Sequence, residues 1–238
     1  KRTNFSGIGK WNTSNVTDME GLFYKMKDFN EDISAWNTSK VENMSSMFED
    51  ADSFNRSLNN WDVSKVKTMK NMFRGAISFN QPLNKWNVGE VMDMEEMFEA
   101  AYKFNQNINS WNVSKVKNMS YMFNSAKEFN QPLDKWNVSS VEDMTCMFRY
   151  TKKFNQPLNS WNVSKVKYME EMFFEAVSFN QSLNRWNVSN VKDMARMFCD
   201  AKKFNQDLSM WKVQGATDTV NMFLGSPLEN RKPKWEGQ

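Results

Sequence analysis

Histidine does not occur anywhere in the 238 residues. That absence removes Ser-His-Asp and Cys-His nucleophilic sites, imidazole metal sites and histidine pH switches. Eight glycines leave little material for phosphate-cradling loops. The two cysteines, Cys146 and Cys199, give neither a disulfide framework nor a Cys-x-x-Cys metal clip. No apolar run approaches the ~18–20 residues that a bilayer-crossing helix needs. Charge of one sign is missing too: 31 Lys and Arg stand against 28 Asp and Glu, interspersed along the chain. A phosphate-tracking groove, and with it a nucleic-acid partner, is not expected. Neighbouring acids such as Glu95 and Glu96 cannot face one substrate together on a helix. The expectation is a chain with no catalytic residues, no metal and no cofactor. It opens on Lys1-Arg2-Thr3 without an apolar leader, and so reads as a segment processed or excised from a longer product.

What is present is a repeat. Tryptophans fall at Trp11, Trp36, Trp61, Trp86, Trp111, Trp136, Trp161, Trp186 and Trp211, a constant step of 25 residues, and only Trp235 is out of phase. An aliphatic residue precedes each by three places, as in Leu83, Ile108 and Leu133, and Thr or Val follows two places later. A full unit, residues 158–182, reads LNSWNVSKVKYMEEMFFEAVSFNQS. A unit this short cannot bury its own apolar face, so neighbours must stack into a solenoid. The nine units span 8–226 within a single solenoid domain, 1–238, and 227–238 form a tail in which Trp235 can fold over the last unit. The first seven residues offer only Phe5 as a lid, so a longer parent chain or a neighbouring subunit is expected at the N-terminal end.

Each unit carries two periodicities. From Leu158 to Val166, Trp161 and Val163 alternate with Asn162 and Ser164, which predicts a short strand with one buried face. From Val166 the apolar spacing becomes 3, 3, 1, 3, 3 through Met169, Met172, Phe173, Ala176 and Phe179, which predicts a short helix. The residue before the first Met is mostly Asp, Asn or Thr, as in Asp93 and Asn118, a good N-cap type. The fold class is therefore an α/β solenoid with a short parallel strand and a short helix per unit, helices on the convex side.

Leu-x-x-Trp-x-Val resembles the strand signature of leucine-rich repeats. The continuation Val-x-x-Met-x-x-Met-Phe-x-x-Ala-x-x-Phe-Asn-Gln resembles the BspA-like repeat of bacterial surface proteins. The resemblance covers residues 8 to about 226. It implies a leucine-rich-repeat-like architecture, a place on the cell surface or outside the cell, and a role in adhesion or protein recognition.

The Trp and Met columns read as core. The Asn after each Phe, from Asn30 to Asn205, reads as a ladder bonding its own and neighbouring turns. The positions flanking each Trp are the candidate binding surface. Asn87, Asn112, Asn137, Asn162 and Asn187 follow it, while Asn60, Lys85, Lys135 and Arg185 precede it. Binding favours variable positions on a rigid scaffold, which puts Lys85, Lys135 and Arg185 ahead of the asparagines. A protein or extracellular-matrix partner fits such a face, and a glycan is the other partner class. A structural subunit of a larger multiprotein assembly and a carbohydrate-binding module are the alternative functions.

Overall fold

A computed structural model describes residues 5–215 and 217–235. One coil of chain corresponds to each 25-residue unit: coil 1 ends at residue 25, coil 2 spans 26–50, and so on to coil 9, 201–225. The coils stack in sequence order, joined by eight isolated parallel bridges from Asp18↔Asn43 to Asp193↔Asp218. Tandem coils around one core make the chain a repeat solenoid.

The expected helix does not form. Among the described residues the only helical element is one 3₁₀ turn, Ile8–Lys10. Packed helices need about 8–10 Å between axes, whereas equivalent phenylalanines in successive coils, such as Phe73 and Phe98, repeat at 5.5–5.9 Å. Coils this close leave no room for a helix in each.

Overlapping four-residue turns take its place. From the end of coil 2 into coil 3, the N–H groups of Met47, Glu49, Ala51 and Phe54 donate three residues back, to Met44, Ser46, Phe48 and Ala51, at 3.0–3.3 Å. The alternate N–H groups, on Met44, Ser46, Phe48 and Asp50, donate forward to Thr68, Lys70, Met72 and Arg74 of coil 3 at 2.7–3.2 Å. Every second peptide thus points its N–H toward the next coil and its C=O toward the previous one. This alternation requires left-handed residues between the peptides. Along this ladder two residues per coil have positive φ, from Gly21 and Lys25 to Asn221 and Gly225, and 15 of these 18 are not glycine.

Nor is the segment from Leu158 to Val166 a strand. It contains two tight turns, closed by Trp161 N–H to Leu158 O (3.0 Å) and Val166 N–H to Val163 O (2.9 Å). The equivalent tryptophans repeat at 6.2–6.5 Å, wider than the 4.7–4.9 Å of a sheet ladder. Side chains span this gap. The Nε1–H of Trp36 donates to Ile8 O, and the same bond recurs to Trp211 and Leu183 at 2.9–3.1 Å. Asn55 N–H donates to Asn30 Oδ1, and six more such links run to Asn205 at 2.9–3.0 Å.

The interior is a set of aromatic columns. Phe73 at the end of coil 3 and Phe79 at the start of coil 4 stack at 4.1 Å, and each continues into its equivalents one repeat before and after. Met, Val, Ala and Leu fill the remainder, nearly all fully buried. Flat rings and unbranched thioethers pack under translation without branching clashes, so one short motif serves every coil.

Candidate binding face

The tight turn at each Trp places the residue before it at a corner of the coil. The residue after it lies on the short extended link to the next turn. Trp86, Trp136 and Trp186 are buried, while Lys85, Lys135 and Arg185 before them, and Asn87, Asn137 and Asn187 after them, are exposed. Asn60, Asn112 and Asn162 are exposed as well. Because the cations sit in alternate coils, the face carries charge at every second step along the stack.

Hydrogen bonds distinguish the two columns. The carbonyl oxygens of Asn87, Asn112, Asn137, Asn162 and Asn187 each accept the N–H two residues later, at 3.1–3.2 Å. These are Asx turns that hold the corner, so half of each amide is already engaged. The cations are held by backbone instead. The N–H groups of Lys85, Lys135 and Arg185 donate to Asn59, Asn109 and Asn159 Oδ1 of the preceding coil, each at 3.0 Å. Their side chains are exposed, and among the described residues only Lys85 Nζ has a polar contact, Asn60 Oδ1 at 3.3 Å.

A second polar band follows the lysine pairs Lys65/Lys67, Lys115/Lys117 and Lys165/Lys167. One lysine of each pair is neutralised by an acid: Lys67 meets Glu42 at 2.5 Å, Lys115 meets Glu90 at 2.7 Å and Lys167 meets Glu142 at 2.6 Å, each across one coil step. Glu142, Ser164, Lys165, Lys167, Asn190 and Lys192 line a shallow open depression there.

The turn-rich side carries a denser ion network that sequence reading missed. Arg74 of coil 3 reaches Glu49, Glu96 and Glu99 at 2.8–2.9 Å, gathering acids from the coils on either side of it. Glu171 is shared by Arg149 and Arg196 at 2.7 and 3.0 Å. Burial, with the Glu99 carboxylate beside it, raises the Glu96 carboxyl to about 7 despite Arg74. The signal lay in charges one repeat apart, Glu49, Arg74 and Glu99, rather than in neighbours along the chain. Cys146 and Cys199 are free and buried; burial pushes the Cys146 thiol up to about 12, far from a reactive thiolate. Among the described residues no group of three His, Cys, Asp or Glu is placed to hold a metal ion. No helix among them is long and apolar enough to cross a membrane.

No curated protein matches the chain. Among solved structures, an internalin (inlF) from Listeria monocytogenes str. 4b F2365 is similar at 6% identity, over 77% of this chain and 70% of that one, with a TM-score of 0.22. A family model described as "Mycoplasma protein of unknown function, DUF285" matches residues 1–101, 81–173 and 131–235. Those overlapping matches run across all nine coils, and the chain belongs to that family.

Proposed function

We propose that the chain is a non-catalytic recognition module that binds a protein partner, a cell-surface or matrix component, through the face flanking the tryptophan column. The supporting observation is the pairing of a rigid frame with free cations. Lys85, Lys135 and Arg185 are fixed through their backbones to the preceding coil, while their charged ends extend into solvent. Such a face engages a partner with little ordering cost in its own backbone. The resemblance to BspA-like surface repeats supports the same reading and a location outside the cell. The test is a charge reversal, Lys85→Glu, Lys135→Glu and Arg185→Glu together. Labelled protein is applied to intact cells and to immobilised matrix proteins. The wild type is expected to bind and the triple variant to lose at least about tenfold in affinity, on the order of 1.4 kcal/mol. Equal binding by both proteins, or none by the wild type, overturns the proposal.

A second reading, a structural subunit in a larger assembly, has its own support. Large apolar side chains stand exposed on the first coil at Trp11, Leu22 and Tyr24. Co-purification of a stoichiometric partner cross-linked to Lys10 or Lys25 would favour it over the surface module.

A further inference from the structure

The interior of the stack carries a second period, of two coils. Cations precede the tryptophan in coils 4, 6 and 8, as Lys85, Lys135 and Arg185, and serines precede it in coils 5 and 7, as Ser110 and Ser160. The corner is built around that alternation. Asn59, Asn109 and Asn159 each clamp the next coil twice. Their Oδ1 atoms accept the N–H of Lys85, Lys135 and Arg185 at 3.0 Å, and their Nδ2 groups donate to Asn84, Asp134 and Asn184 Oδ1 at 2.9–3.0 Å. The intervening steps are closed by the Ser110 and Ser160 hydroxyls, which donate to the backbone carbonyls of Asn84 and Asp134 at 3.3 and 3.0 Å. Three cations are thus carried at a fixed interval, and Asp134 is the one acid at the two corner positions of coils 4–8.

Two residues further along each coil, Asn87, Asn112, Asn137, Asn162 and Asn187 form a parallel row in the same five coils, bounded by Asp62 and Lys212. Their Oδ1 atoms are engaged in turns, while no acceptor among the described residues meets their Nδ2 groups, and the side chains are exposed. The row therefore presents one amide donor per coil. The tryptophan column between the two rows steps by 6.2–6.4 Å, so the cations recur at about 12–13 Å.

An extended peptide has both intervals. Its carbonyls return to one side every second residue, about 6.6 Å apart, and side chains four residues apart share a face at about 13 Å. A helix has neither, because same-face residues seven or eleven apart lie roughly 10.5 or 16.5 Å from each other. A densely charged polymer, such as a duplex with one phosphate per about 1.7 Å, would meet one cation per two coils and Asp134 among them. We propose that coils 4–8 bind an extended peptide segment, about nine residues long, with acidic side chains at its first, fifth and ninth positions. The acids meet Lys85, Lys135 and Arg185, and alternate carbonyls accept from the five asparagine amides. This rests on the recognition face proposed above and names what that face reads, the spacing of charge on an extended segment of the partner protein.

The test measures fluorescence anisotropy of labelled nonapeptides titrated with the whole chain. One peptide carries glutamate at positions 1, 5 and 9 in a serine and threonine background; a second, of the same composition, carries it at 1, 2 and 3. The spaced peptide is expected to bind at least about threefold more tightly, because each exposed ion pair contributes up to about fivefold and clustered acids reach one cation at a time. The middle acid faces Lys135 whichever way the peptide runs. Replacing it by glutamine should weaken binding to the wild type about threefold and to the Lys135→Gln variant less than about 1.5-fold. Lys135→Gln keeps the backbone bond to Asn109 and so leaves the corner intact. Equal affinity for the two peptides overturns the proposal, as does an equal loss for the middle acid in both proteins. Absence of binding by the spaced peptide at millimolar concentration, or tighter binding of a sulfated oligosaccharide of similar length, overturns it too. If the triple charge reversal nonetheless abolishes binding to cells or matrix, the recognition face stands and only its peptide ligand falls; if it does not, the face falls with it.

Discussion

The two ends of the solenoid teach opposite lessons about the same motif. Coil 1 has good consensus at its tryptophan, yet Trp11 is 48% exposed and Tyr24 43%. Beyond coil 9 the motif has decayed, yet Trp235, one residue out of step, is 8% exposed and makes the column's hydrogen bond. Burial follows from having a coil on each side, not from matching the pattern. The same side chain therefore has a different energetic weight at an end and in the middle.

Tryptophan truncation should show this difference at its largest. Trp111 is fully enclosed, with Nε1–H bonded to Leu83 O at 3.0 Å and stacked rings on both sides. Trp111→Ala is expected to cost about 3–5 kcal/mol, the usual range for a buried aromatic. Trp11→Ala should cost about 1 kcal/mol, because one ring face already meets water. Urea unfolding of both variants checks this, and equal midpoint shifts would contradict it.

The asparagine ladder offers the same comparison one step down. Asn105 Oδ1 accepts both Asn130 N–H and Gln131 Nε2–H, whereas Asn205 Oδ1 at the end accepts only from Arg231. Asn105→Ala leaves a half-buried backbone donor unpaired and is expected to cost about 1–3 kcal/mol. Asn205→Ala, where an exposed guanidinium can turn to water, should stay within about 0.5 kcal/mol. Thermal unfolding separates the two, and a larger effect at Asn205 would break the argument.

Much of this architecture was legible in sequence, and the limits have physical causes. The period, the buried Trp, Met and Phe columns and the asparagine ladder are readable because translation along a stack forces chemically similar residues to recur. The helix was not excluded, because apolar spacing of 3, 3, 1, 3, 3 fits a helix and a string of four-residue turns equally well. Side-chain spacing records which atoms are buried and is silent on where each N–H points. The apparent N-caps show the confusion closely. Asp93 Oδ1 accepts Glu95 N–H at 3.0 Å, side-chain-to-backbone chemistry like that of a cap, but it opens a turn. The left-handed positions were equally hidden, since Glu96, Ala100 and Tyr121 are not residues that announce positive φ. At the candidate face, alternation around Trp placed the polar residues outward. What sequence could not show is that the asparagine carbonyls are already spent on turns, leaving the cations as the freer groups.

Glycine positions test end against interior through space alone. Gly21 and Gly75 both have positive φ at 59° and 65°. Among the described residues a methyl on Gly21 would meet only Tyr24 Cβ at 3.8 Å, whereas on Gly75 it would clash with Asp50 Oδ1 of the previous coil. Gly21→Ala should cost about 1 kcal/mol from backbone strain, offset in part by a stiffer unfolded chain. Gly75→Ala should cost about 2 kcal/mol, because Asp50 must also move. Identical losses for the pair would mean that coil contact adds nothing.

The smallest expected effect depends on pH and belongs to the interior alone. Glu96 is raised to about 7, chiefly by burial and then by its hydrogen bond and repulsion with Glu99. A carboxyl whose folded value lies above its unfolded one, near 4.5, binds more protons folded than unfolded between those limits. Its contribution to stability therefore falls as pH rises from about 4.5 to 7, and the penalty is complete above 7. Glu96→Gln removes that titration while keeping the side chain's shape and its left-handed backbone. The variant should match the wild type near pH 4.5 and exceed it near pH 8, with the gain limited by solvent around the group and by loss of the Arg74 contact at 2.9 Å. Urea midpoints at the two pH values decide it. A variant weaker than the wild type at pH 8 would show that Arg74 outweighs burial, making the acid cluster a net brace between coils 2, 3 and 4.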